Sequence, residues 1–236
     1  NRKVYPVNPG RDKLMGLTCY GSITDIPGPV DLAVIVVPAK VAPQVFREAA
    51  EKGVKAVVIV SAGFAEADEA GAALEAEIAA TSREYGLPFV GPNCIGHADF
   101  HTRVASAGLA VRIPAGPAAL ITQSGTIGAS LMQTIPNRGI GLSKLASTGN
   151  ETDLHLEDFL EFFGDDEKSE VIACYIEGLR EGRRFYELAK EITLRKPVVV
   201  MKAGGTGQSA KAAQSHTGAL SGSDEVYTAA FRQAGV

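Results

Sequence analysis

Val30-Asp31-Leu32-Ala33-Val34-Ile35-Val36-Val37 is an almost unbroken aliphatic run. Runs of this kind form strands of a parallel sheet covered on both faces, where no polar alternation is needed. Pro38 closes the run, and the segment from Val41 to Gly53 reads as a helix that stops at glycine. The pattern then repeats. Lys55 to Ser61 (KAVVIVS) is a second buried strand, and Glu66 to Tyr85, rich in Ala and Glu, is a helix ended by Gly86. Leu87-Pro88-Phe89-Val90 is a short third strand. Strand–helix alternation of this kind implies right-handed βαβ crossovers and a mostly parallel sheet.

After a less regular stretch the alternation restarts. Ala118–Thr122 is a strand, Thr126–Ile135 a helix and Leu142–Ala146 a weaker strand. The 154–163 segment is an amphipathic helix with Leu156, Phe159, Leu160 and Phe163 on one face. Val171–Ile176 and Pro197–Met201 are strands, and Arg183–Leu194 and Asp224–Gln233 are helices. The Pro/Gly-rich Arg112-Ile113-Pro114-Ala115-Gly116-Pro117 marks a boundary, giving two α/β domains over 1–112 and 113–236. Val4-Tyr5-Pro6-Val7-Asn8-Pro9, near the start, has the character of a second Rossmann strand. No G-x-G-x-x-G occurs, so either the domain is unusual or the chain begins inside it.

The composition narrows the function. Of 236 residues, 45% are hydrophobic and 21% charged, which suits a packed core. Lys and Arg number 23 against 27 Asp and Glu, a net charge of −4, which excludes a nucleic-acid footprint built on bulk positive charge. Three widely spaced cysteines, Cys19, Cys94 and Cys174, fit neither a disulfide framework nor a zinc site, and no metal site is expected. With no signal peptide and no long apolar run, the expectation is a cytoplasmic chain that does not engage membranes.

Any anionic ligand must then be met by local groups. Glycine and small polar residues gather where the strands end: Ser61-Ala62-Gly63-Phe64, Gly91-Pro92-Asn93-Cys94, Gln123-Ser124-Gly125-Thr126, Ser147-Thr148-Gly149-Asn150 and Ala203-Gly204-Gly205-Thr206. Gln123–Thr126, between a buried strand and a helix, is the clearest anion cradle, because helix-start N–H groups there lack acceptors. A plain Ser N-cap would give the same pattern. Among the histidines, His216 stands out in Gln214-Ser215-His216-Thr217-Gly218, whose small neighbours leave the ring uncrowded; a surface-loop histidine is the plainer alternative. His97, His101 and His155 read as solvated surface residues. Glu177, directly after a hydrophobic strand, could pair with a histidine and fix its tautomer, or could be an exposed strand-end carboxylate.

Taken in order, VYPVNP, VDLAVIVVPA, VSAGFAE, GPNCIG, TQSGT, STGNETD and SHTGALSG resemble the α-subunit of succinyl-CoA synthetase and, more closely, the NDP-forming acyl-CoA synthetases of the ADP-forming acetyl-CoA synthetase type. The resemblance spans nearly the whole chain. It implies a Rossmann-like CoA-binding domain, here without its first strand and glycine-rich loop, followed by a flavodoxin-like ligase domain. His216 would be the histidine that becomes phosphorylated and Glu177 its orienting carboxylate. Ser124, Gly125 and Thr126, with Thr217 and Gly218, would hold the phosphoryl group. Val37, Pro38 and Ala39, and Ser61, Ala62 and Gly63, would line the coenzyme A site. Pro92 and Asn93 would lie near the acyl group, with Cys94 a neighbour rather than a nucleophile.

The reaction implied is reversible: acyl-CoA, ADP and phosphate give carboxylic acid, CoA and ATP through an acyl phosphate and phosphorylated His216. ATP or ADP and Mg²⁺ would sit on an ATP-grasp domain or β subunit, which this sequence does not contain. Two other readings stand beside this one. A ligand-sensing CoA-binding module fused to a protein acetyltransferase shares the fold. An NAD(P)-binding oxidoreductase would need an intact glycine fingerprint and a ribose-binding acid, and neither is present.

Overall fold

A computed structural model describes residues 3–106, 108, 112–204 and 224–236. The chain folds as two compact units, Asn1–Phe89 and Val90–Val236. In the first, β1 (Lys13–Leu14) and β2 (Leu17–Thr18) form a small antiparallel pair. The sheet proper runs in the order β3 (Leu32–Ile35), β4 (Ala56–Ile59), β5 (Phe89–Val90), with β3 and β4 parallel. Between the strands lie α1 (Ala42–Glu51) and α2 (Glu69–Tyr85). Asp68 caps α2 by accepting from the Gly71 N–H at 2.8 Å, and left-handed Gly86 ends it as the sequence implies. Ile35, Phe46, Val57, Ile59, Phe64, Ile78 and Phe89 build the core, with Phe46 and Phe89 edge to face at 5.3 Å.

One expectation for this unit fails. β3 is buried on one face only: Ala33 and Ile35 point inward, while Leu32 and Val34 are 41% and 43% exposed. β3 is an outer strand of its sheet, so its aliphatic run is not enclosed as a central strand's would be.

The second unit holds a six-stranded sheet in the order β11 (Val198–Lys202), β10 (Val171–Ile176), β8 (Ala115–Thr122), β9 (Leu142–Ser147), β6 (His97–Asp99), β7 (Val104–Ala105). β8 to β11 are mutually parallel where they pair, and β6 and β7 extend the sheet antiparallel. The sequence-based division at 112/113 falls inside this unit. β6 pairs with β9, and Ala115–Pro117 is the bulged start of β8 rather than a linker. Gly116 and Gly141 let the two backbones touch there, since a Cβ on either would overlap the other strand.

Helices cover both faces. α3 (Gly125–Asn137) packs Met132 against Leu120, Leu145 and Ala98. On the opposite face α4 (Leu156–Asp165), α5 (Gly182–Ile192) and α6 (Asp224–Ala234) bury Leu156, Leu160, Phe163, Phe185, Ala189 and Ile192 against Ala119, Ile121, Ile172 and Cys174. The predicted apolar stripe of α4 therefore faces the core. From β8 the chain passes through α3 to β9 on one side, then crosses by α4 to β10 on the other side of β8. The direction of winding reverses between β8 and β10, and doubly wound sheets bind ligands beyond the carboxyl ends of the strands at such a reversal.

Candidate functional site

In the second unit the carboxyl ends of β8 and β10 are joined by one side chain. Gln123 accepts at Oε1 from the N–H groups of Glu177 (2.5 Å) and Gly178 (3.1 Å). Its Nε2 donates to the Gly178 carbonyl (2.7 Å) and to Oε2 of Glu151 (2.9 Å). All four hydrogen-bonding positions of the amide are filled, and the backbone partners fix which end is oxygen. Glu177, half-buried at the end of β10, is thus held by its own main chain at the switch point.

The adjoining start of α3 has the geometry the sequence suggested. Ser124 is its N-cap and accepts from the Ile127 N–H at 3.3 Å, while the Thr122 hydroxyl donates to the Ser124 carbonyl at 2.8 Å. The capping reading of Ser124 is therefore realised. The N–H groups of Gly125 and Thr126 have no intrahelical acceptor and add the positive end of the helix dipole. A Cβ at Gly125 would approach Ile95 Cγ2 to 2.9 Å, so glycine lets the helix start lie against the loop after Cys94.

Pro92 and Asn93 are built into the same rim. Asn150 donates its N–H to the Pro92 carbonyl (2.9 Å), and Asn93 Nδ2 donates to Asn150 Oδ1 (3.3 Å). Ile95 N–H donates to the Ser147 hydroxyl at 3.1 Å, and Arg180 donates to the Asn150 carbonyl at 3.0 Å. Asn93 and Glu151 are both non-glycine residues in the left-handed region, at φ 58° and 57°. The Cys94 thiol is buried, and desolvation pushes it up to about 11, which disfavours the thiolate.

Two buried acids that sequence reasoning passed over lie behind this rim. Glu151, 5% exposed, is pushed up to about 7, chiefly by burial. Its Oε1 accepts from the Leu156 N–H at the start of α4 (3.1 Å). Glu157 is fully buried, and its Oε1 accepts from the Glu181 N–H at 3.2 Å. Neither stands out in the sequence, because each acts through a partner distant along the chain.

Of the other histidines, His101 is exposed as expected, whereas His97 and His155 are not simply solvated. His97 is in β6 rather than in a solvated loop; its Nδ1 lies 3.2 Å from the Ser106 hydroxyl and its ring packs on Phe159. Burial lowers its pKa to about 4. His155 is the N-cap residue of α4 and is partly buried, and its backbone N–H donates to Asp158 at 2.7 Å. His101 is exposed, with Nε2 3.1 Å from the Gly116 carbonyl. His216, Thr217 and Gly218 lie outside the described residues.

In the first unit the two proposed CoA turns meet at the ends of β3 and β4. The Val37 N–H donates to the Ser61 hydroxyl at 3.0 Å, and a Cβ on Gly63, at φ 99°, would touch Ala39. Glu66 turns back to accept from the N–H groups of Gly63 (2.6 Å) and Phe64 (3.2 Å). Those two donors are committed to this carboxylate. Among the described residues no group of three or more His, Cys, Asp or Glu side chains is arranged to hold a metal ion. No helix among them is long and apolar enough to cross a membrane.

Comparison with known proteins accords with this layout. Residues 115–236 match the succinyl-CoA ligase-like flavodoxin domain, and residues 1–99 match a CoA-binding domain. The chain is 44% identical over 99% of its length to the α subunit of ADP-forming acetate–CoA ligase II of Pyrococcus furiosus, of which it covers 51%. It is 41% identical over 98% of its length to the ADP-forming 4-hydroxybutyrate–CoA ligase of Nitrosopumilus maritimus, covering 34% of that protein. The dinucleotide-forming acetyl-coenzyme A synthetase 1 of Ca. Korarchaeum cryptofilum, solved with phosphate and ADP, superposes with a TM-score of 0.93 at 39% identity, over 98% of this chain and 50% of that one. The chain thus spans between about a third and a half of the length of these relatives.

Proposed function

The chain belongs to the succinyl-CoA ligase-like flavodoxin family, among the NDP-forming acyl-CoA synthetases, and on that premise we propose that it carries the acyl- and phosphoryl-transfer steps of such an enzyme. The whole enzyme would convert acyl-CoA, ADP and phosphate reversibly into carboxylic acid, CoA and ATP. The observation that carries this reading is the union of the α3 N-terminus and Glu177 at one switch point through Gln123.

The chemistry proceeds in two displacements on this chain. A phosphate oxygen attacks the thioester carbonyl; the C–S bond breaks, CoA leaves and an acyl phosphate remains. A neutral ring nitrogen of His216 then attacks phosphorus, the acyl P–O bond breaks, and the carboxylate departs. Glu177 accepts from the other ring nitrogen, fixing the tautomer and stabilising the positive charge that develops on the ring. The N–H groups of Gly125 and Thr126, with the helix dipole, meet the phosphoryl charge, joined by Thr217 and Gly218. These local groups meet the phosphoryl charge in a chain whose net charge is −4.

Residues Val37–Ala39 and Ser61–Gly63 line the CoA site in this reading, and Pro92 and Asn93 face the acyl group. The CoA-handling role belongs to the segment that matches the CoA-binding domain, 1–99, and the phosphoryl-carrying role to 115–236. ADP and Mg²⁺ belong to an ATP-grasp domain or β subunit, to which phosphorylated His216 delivers its phosphoryl group.

The test is incubation of the chain together with its ATP-grasp partner, or of the full-length protein, with Mg-ATP, followed by intact mass and peptide mapping. One acid-labile phosphoryl group on the peptide containing His216, absent in His216→Ala, is expected. CoA binding with no phosphorylation would overturn the assignment in favour of a ligand-sensing module.

A further inference from the structure

Gln123 and Glu151 have no part in the transfer steps, yet Gln123 is hydrogen-bonded directly to the Glu177 backbone and Glu151 to Gln123. Gln123 touches Glu177 through its backbone N–H and clasps the following peptide by both its N–H and its carbonyl. A side-chain amide accepts at its oxygen and donates at its nitrogen, which matches the N–H and C=O groups it meets here. Glu151 occupies the last donor position of that amide, and its second oxygen accepts from the Leu156 N–H. The Glu151 backbone is left-handed at φ 57°, a conformation costly for a residue with a Cβ. Such a conformation persists where the surroundings over-determine it, as the partners on each of its carboxylate oxygens do here.

We propose that Gln123 and Glu151 are a positioning pair for phosphoryl transfer: Glu151 sets the orientation of the Gln123 amide, and the amide sets the Glu177–Gly178 peptide from which the His216-orienting carboxylate projects. This rests on the function proposed above for Glu177 and His216. Neither residue touches the phosphoryl group; both act through Glu177. The carboxylate of Glu177 has to meet the imidazole at hydrogen-bond distance, and a displacement of about 1 Å in such a contact costs on the order of a hundredfold in rate.

The polarity of the pair makes the idea testable with isosteres. Gln123→Glu keeps the oxygen that accepts from Glu177 and Gly178 but sets a second oxygen against the Gly178 carbonyl and Glu151. Glu151→Gln loses one of its two acceptor contacts. In the double variant Gln123→Glu/Glu151→Gln, the new amide nitrogen at position 151 donates to the new carboxylate, and its oxygen still accepts from Leu156. The measurement is the single-turnover rate of His216 phosphorylation with Mg-ATP, with the ATP-grasp partner present, alongside CoA affinity and the thermal midpoint.

The expected result is a loss of about a hundredfold for Gln123→Glu and about tenfold for Glu151→Gln, at unchanged CoA affinity. The double variant should recover at least part of the first loss. Wild-type rates in both single variants would overturn the proposal, and so would strictly additive losses in the double variant. Should Gln123→Glu fail to fold, Glu151→Gln alone decides: an unaltered rate in that variant overturns the pair. Failure of the wild type itself to phosphorylate His216 would instead strike at the proposed function.

Discussion

The carbonyl oxygen of Pro92 stands where a β-carbon on Gly149 would have to go, and Asn150 donates its N–H to that same oxygen at 2.9 Å. Gly149 is left-handed at φ 64°, and a Cβ there would also come within 2.8 Å of the Asn93 carbonyl. Gly149→Ala should therefore destabilise the second unit by about 2–4 kcal/mol. Gly139 provides the control. It has a similar φ of 72° but nothing within 4 Å of its would-be Cβ, so Gly139→Ala should cost only about 1–2 kcal/mol. Chemical denaturation of both variants measures the difference; equal losses would mean that backbone conformation, not the Pro92 contact, decides.

His97 sets one pH dependence. Its pKa falls from 6.5 to about 4 because burial penalises the charged ring. The native state thus favours the neutral form, and its advantage is full above pH 6.5 and is lost as pH falls toward 4. Relative to His97→Gln, the wild type should lose up to about 3 kcal/mol across that window. Urea unfolding at stepped pH tests this, and parallel curves for the two proteins would refute it.

Glu151 works in the opposite direction. Its pKa rises from 4.5 to about 7, first through burial and further through the charge on Glu157. The protonated form is the one the fold prefers, so this contribution is full below pH 4.5 and lost as pH rises toward 7. Relative to Glu151→Gln, the wild type should weaken by up to about 3 kcal/mol over that range. The His97 and Glu151 windows overlap with opposite sign, so the wild-type curve should be flatter than that of either variant.

Glu66 offers a local test in the first unit. Glu66→Ala strands the Gly63 and Phe64 N–H groups and should cost about 1–3 kcal/mol, whereas Glu66→Gln keeps an acceptor oxygen and should cost less. Thermal midpoints of the two variants give the order; a reversed order would show that the carboxylate is a solvated surface group.

The aliphatic runs and glycine stops made most of the parallel strands and helices legible, because burial on both faces leaves a plain mark on a sequence. β6 left none. His97-Ala98-Asp99 has no strand-like composition and is a strand because it pairs with β9. That pairing is also why the compact units divide at Phe89 rather than at the Pro/Gly-rich 112–117 stretch. β3 misled in the other direction, since a run of valines does not reveal whether its sheet continues beyond it. At the candidate site, the positions of Ser124, Gly125 and Glu177 at strand ends were readable from the sequence. Gln123 as an anchor and Glu151 were not, since nothing in a sequence says that residues 28 or 55 positions apart share a hydrogen bond.

The sequence separations across the rim bear on how the site comes into being during folding. Gln123 reaches Glu177 across 54 positions, and Asn93 reaches Asn150 across 57. No segment short enough to order early contains both ends of either contact, so closure of long loops must come first. The rim can assemble only once β8 has paired with both β9 and β10. A partly folded chain therefore carries secondary structure but no site, and binding competence should return in refolding as a late, all-or-none event.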